Sequence, residues 1–250
     1  MTNKLNQFTT NSSQFTNFAF TLAETLIVMG IIGVVAALTL PNLNSSTGDK
    51  EKVAKVKKIY SNLNDAFGRA QAVYGPYDEW CQNVSTNKDC SKKVGERLTE
   101  FMKISKTCGL EKNKGCFSDK TYFMDKSGYD SGEDTYDDDY KVIVSDRTSL
   151  SFYKAQNDQD IYIYVDIDGP IKGESTYGKD FFGFMVDNVN KGVFPVGEGS
   201  TGNLTKNIFY DCTSTAWVIN NGNMDYLKTD ISGKCPNGTQ LNWTNQTSCK

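Results

Sequence analysis

The chain has 250 residues, 38% of them hydrophobic and 23% charged, with a formal net charge of −3. That length suits one medium domain with an appendage or two small domains, and the charge gives no global attraction to nucleic acid or anionic lipid. Histidine is absent, which excludes Ser-His-Asp and Cys-His nucleophile systems and every His-ligated metal site, and lowers the expectation of catalysis.

The chain begins with a polar stretch, "MTNKLNQFTTNSSQFTN", in which Lys4 is the only charge. From Leu22 to Leu40 the sole charged residue is Glu24. At 1.5 Å per residue this run reaches about 28 Å, close to the ~30 Å hydrocarbon core of a bilayer, so it is a transmembrane candidate. A secretory signal peptide would have a shorter apolar core and a small-x-small cleavage site; "ALTLPNLNSS" offers no clear Ala-x-Ala. A plain signal anchor accounts for the length but not for Glu24, because a carboxylate inside a bilayer costs a few kcal/mol, roughly, on insertion scales.

The segment "FTLAETLIVMGIIGVVAALTLPNL" resembles the N-terminus of type IV pilins and type II secretion pseudopilins. The resemblance covers about a tenth of the chain and joins residue types, register and position. In that family a prepilin peptidase removes a short polar leader before an aromatic residue, and the new N-terminus is methylated. Glutamate stands fifth in the mature chain and proline twenty-second. Here the resemblance implies cleavage between Ala19 and Phe20, N-methylation of Phe20, and assembly roles for Glu24 and Pro41. Thr21 and Leu22 also fit; Ala19 departs from the usual glycine before the cut. The family's glutamate pairs with the N-terminal amine of a neighbouring subunit. Two buried charges are far less costly paired than alone, so Glu24 would set the axial register of a filament as a buried polar group does in a coiled coil. Gly30 and Gly33 would let apolar helices approach closely.

Lys50, Lys52, Lys55, Lys57 and Lys58 follow the apolar run. By the positive-inside rule they favour a cytoplasmic C-terminus, against the extracytoplasmic head that the resemblance and the cysteines imply. Pro41 should kink or end the first helix, and Ser46 with Asp49 resembles a capping box for a restart. Val53, Val56, Tyr60, Leu63, Phe67, Ala70 and Tyr74 recur at three- and four-residue spacing, an amphipathic helix stopped by Gly75 and Pro76. "KKVGERLTEFMKI" is a second, short amphipathic helix.

The seven cysteines form no CxxC. Their spacing suggests local loops pairing Cys81 with Cys90, Cys108 with Cys116 and Cys235 with Cys249, leaving Cys212 over. Disulfides would imply an oxidising compartment, reduced buried thiols are the plainer alternative, and sequence does not settle connectivity. Beyond Gly109, "YKVIVSD", "LSFYKAQ", "IYIYVDID", "DFFGFMVD", "TAWVIN" and "NMDYLKT" read as strands.

The acidic stretch from Asp125 to Tyr140 and "DIDGP" at Asp166–Pro170 lack EF-hand spacing. The plain reading is a solvated loop and a turn at Asp168-Gly169. The functional alternative is a calcium site, with Asp166 and Asp168 its first ligands and calcium the one cofactor considered. "GKDFFGF" is not a phosphate loop. Trp217 suits core packing, while Trp243 is undecided between core and binding face. Asn-x-Ser/Thr triplets at Asn83, Asn203, Asn237, Asn242 and Asn245 arise by chance in so Asn- and Thr-rich a chain.

The expected fold is α+β: a long N-terminal helix, with a membrane or filament half and an amphipathic half, packed on a globular head with an antiparallel β-sheet. The expected divisions are a leader at 1–19, an apolar helix at 20–40, a spine helix at 41–74 and a head at 75–250. The expected function is a non-enzymatic pilin-like subunit, placed in a bacterial inner membrane with an extracytoplasmic head, then in a filament of a type IV pilus or type II secretion pseudopilus. Its partners would be the prepilin peptidase, other pilin-like subunits and the membrane, with no nucleic acid. A membrane-anchored binding domain that never polymerises is the second reading, and a secreted enzyme the third.

Overall fold

The computed structural model describes residues 21–110, 115–131, 139–155, 160–170, 173–187, 192–209 and 211–250; over 36–46 and 129–131 the backbone alone is described. The chain divides into two units, Met1–Ser46 and Thr47–Lys250.

Helix α1 runs from Leu22 to Tyr74. The helix does not end at Pro41. An interior proline removes one i→i−4 hydrogen bond and costs about 3 kcal/mol, but the bonds on either side can carry the helix through. In the first unit the side chains from Leu22 to Val35 are exposed.

The membrane half of the expected fold is corrected. No helix among the described residues is long and apolar enough to cross a membrane. The expected inner-membrane location falls on the same finding. The second unit is a mostly sheet head with helices packed on it.

In the second unit, the α1 residues Val53, Val56, Ile59, Leu63, Phe67 and Ala70 enter the main core. Their three- and four-residue spacing puts them on one helical face. Tyr60 adds a ring stacked on Phe184 at 5.5 Å. The helix ends where Gly75 takes φ +80°, open to glycine without steric penalty.

Helix α2 spans Asn87–Thr99. Thr86 caps it, accepting from Asp89 N at 3.1 Å, and the Cys81–Cys90 disulfide ties its first turn to the preceding loop. The strands that follow are β1 (Ile104–Gly109), β2 (Lys120–Tyr122), β3 (Tyr129–Ser131), β4 (Tyr140–Val144), β5 (Ser149–Lys154), β6 (Ile161–Asp166), β7 (Ser175–Thr176), β8 (Phe181–Asp187) and β9 (Gly192–Pro195). Six of them form an antiparallel sheet in the order β1-β4-β5-β6-β8-β9, and β3-β2-β7 form a small second sheet.

Period-two alternation sorts the large sheet's side chains. Val142, Leu150, Phe152, Ile163, Val165, Phe182 and Phe184 join the helices in the main core. Phe181 faces a smaller cluster with Cys116, Phe117, Tyr177 and Cys212.

Two expected strands are helical. "TAWVIN" lies in helix α3, Ser214–Asn221, which packs on β8 and β9. "NMDYLKT" contains a 3-10 turn at Asp225–Lys228. A short apolar run does not distinguish strand from buried helix, and Gly222 at φ +65° closes α3 as a left-handed cap.

Candidate functional site

Two regions carry the sequence-predicted residues, one in each unit. In the first, Thr21 and Glu24 form a capping box at the start of α1. Thr21 N and Thr21 Oγ1 each donate to Glu24 Oε2 at 2.9 Å, and Glu24 N donates to Thr21 Oγ1 at 3.2 Å. Two N–H groups that a helix start leaves unsatisfied thereby find acceptors. Glu24 Oε1 takes no hydrogen bond from a described residue. The Thr-x-x-Glu spacing that signals this box was legible in the sequence, but there Thr21 was matched only to the family motif.

Around that carboxylate the helix surface is apolar and open: Leu22 is 79% exposed, Met29 71% and Val35 53%. Gly30 and Gly33 have nothing within 4 Å of where a Cβ would stand, so each leaves a notch in the helix surface. Ala19 and Phe20 lie outside the described residues. Pro41 is helical in its backbone.

In the second unit Asp166 is fully buried at the end of β6. Its Oδ1 accepts from Asp168 N at 3.1 Å and Gly169 N at 3.0 Å; its Oδ2 accepts from Ser118 Oγ at 3.0 Å and Ser175 Oγ at 2.8 Å. Burial nevertheless raises its pKa, with the four bonds opposing. Gly169, at φ +66°, brings the turn so close to the Arg147 carbonyl that a Cβ would clash, in keeping with the turn expected at Asp168-Gly169. Among the described residues no three His, Cys, Asp or Glu side chains are grouped to hold a metal ion. The Asp166 carboxylate spends both oxygens tying β6 to β7 and to the loop after Cys116, so it offers calcium no open oxygen. Residues 132–138 of the acidic stretch lie outside the described residues. Sequence reasoning missed Ser118 and Ser175 because nothing local links them to Asp166.

Beside this knot, burial pushes the Asp180 carboxyl up to about 6, opposed by the Thr176 N–H and by Lys52. Lys55 Nζ donates to the Ile167 carbonyl at 2.6 Å. Lys52 and Lys55 thus clamp α1 to the head. The lysine run read earlier for its membrane topology is in part structural.

Three disulfides are present, Cys81–Cys90, Cys108–Cys116 and Cys235–Cys249, the local pairs that spacing suggested. Cys212 stands outside them and is buried, packed where β8 has Gly183: a Cβ there would lie 2.6 Å from Cys212 Cβ. Trp217 is buried in the core as expected. Trp243 is half-buried, its ring edge-on to Trp217 at 5.2 Å.

Compared with known proteins, the chain matches no family model, no curated protein and no solved structure.

Proposed function

We propose that this chain is a pilin-like structural subunit. A prepilin peptidase cuts it after Ala19, Phe20 becomes the methylated N-terminus, and the product assembles with other pilin-like subunits into a type IV pilus or type II secretion pseudopilus. Its biochemical act is assembly, and it is the peptidase's substrate. The reading rests on the resemblance of residues 20–43 and on one structural observation: the start of α1 exposes apolar side chains around a single carboxylate, Glu24, with one oxygen open. Such a surface is unfavourable in water, since each large apolar side chain stabilises by about 1.5–3 kcal/mol when covered. Like helices packed side by side would cover it, and the amine of a neighbouring Phe20 would pair with the open Glu24 oxygen.

The experiment is Glu24→Ala in the organism's own filament system, with filaments counted by electron microscopy and head folding followed by protease resistance. The reading expects filaments to be lost while the head stays folded. Normal filaments from the variant would remove the role given to Glu24.

A further inference from the structure

A cleft of about 250 Å³ opens on the head where the C-terminal segment crosses the loop after β9. Ser200, Thr201, Asn203, Thr205 and Asn207 line it together with Trp243, and its described lining holds no charged side chain. None of those five hydroxyl and amide side chains makes a hydrogen bond to a described residue, nor does the Trp243 indole N–H. Thr201, Asn203, Thr205 and Asn207 are exposed and Ser200 is half-buried, so their donors and acceptors face solvent at the cleft.

The frame around them is fixed. Trp243 N donates to the Gly202 carbonyl at 3.0 Å, and Leu204 N donates to the Leu241 carbonyl at 2.9 Å. Asn203 and Asn242 form a backbone bridge. Asn242 Oδ1 accepts from Thr244 N, Asn245 N and Gln246 N, which locks the turn after Trp243. The Cys235–Cys249 disulfide closes the segment, and Trp217 backs the indole.

The cleft therefore combines a held aromatic ring with neutral groups able both to donate and to accept. An ionic ligand would meet no counter-charge, and an apolar one would strip water from amides and hydroxyls without replacing their hydrogen bonds. A sugar satisfies both halves: its C–H face packs on the indole while its hydroxyls exchange hydrogen bonds with Asn, Ser and Thr. We infer that this cleft is a binding site for a neutral carbohydrate, one or two residues of a glycan, on the head of the protein. It stands independently of the assembly role proposed for the N-terminal segment.

The test uses the full chain in a detergent without a sugar headgroup, screened on an array of neutral glycans. Hits are then titrated by Trp fluorescence, with cellotetraose, maltotetraose and N-acetylchitotetraose titrated whatever the array returns. The expected result is saturable binding of at least one neutral glycan, weakened at least tenfold by Asn203→Ala with Asn207→Ala and by Trp243→Ala. The Asn pair is exposed, so its loss should leave the melting temperature unchanged even if Trp243→Ala loosens the core. Absence of binding to every neutral glycan would overturn the inference. So would binding that the Asn203→Ala, Asn207→Ala variant leaves intact.

Discussion

Lys52 Nζ of α1 lies 3.9 Å from Asp180 Oδ2, with both side chains largely withdrawn from water. The same carboxylate accepts the Thr176 N–H and has Asp166 and Asp168 nearby. Its burial outweighs the lysine, so its carboxyl is raised from 3.8 to about 6. A raised carboxylate means the folded state holds the proton more tightly than the unfolded one. Stability therefore falls as pH rises from about 4 to about 6, with a contribution on the order of 2–3 kcal/mol. Asp180→Asn keeps an acceptor for Thr176 and removes the charge. Urea denaturation of this variant should show a shallower decline between pH 4 and pH 6 than the parent. An unchanged pH slope would contradict this account of Asp180.

Gly95 of α2 faces Tyr140 and Phe152 so closely that a Cβ would sit 3.0 Å from Phe152 Cδ2 and nearer still to Tyr140. Alanine is the better helix former by about 1 kcal/mol, yet overpacking a core costs about 1–3 kcal/mol. Crowding should win. Gly95→Ala is expected to lower the urea midpoint, and a raised midpoint would mean that the helix shifts away from the sheet freely.

The C-terminal segment is held by Cys235–Cys249, a sequence separation of 14, and by Asp225, whose Oδ2 accepts from Ser248 Oγ at 2.8 Å and Cys249 N at 2.9 Å. Closing a loop of that length contributes about 3 kcal/mol through the unfolded chain. The variant Cys235→Ala with Cys249→Ala should lose about that much in chemical denaturation and should show faster amide exchange over residues 240–250. A midpoint equal to the parent's would show that Asp225 suffices.

Much of the head was legible because its signals are local. The spacing of Val53, Val56, Leu63, Phe67 and Ala70 marked the buried face of α1, although Ile59 and Ala66, also buried, were passed over in favour of Tyr60. The alternating patterns of β4, β5, β6 and β8 gave four strands of the large sheet. Strands β2 and β7 are too short, at three and two residues, to show any period. α3 looked like a strand because Ala216, Trp217 and Val218 are all buried, which erases helical periodicity. The Asp166 knot joins residues as far apart as Ser118 and Ser175, so no local pattern reveals it. Pro41 misled because a propensity rule was applied at one position within a long helix.

The central claim, that this is a processed filament subunit, is tested most directly by mass spectrometry of the N-terminus of the protein taken from its native host. The account predicts a chain that begins at Phe20 and carries an N-methyl group. A chain that retains the residues before Ala19, or one cut beyond Leu40, would contradict it.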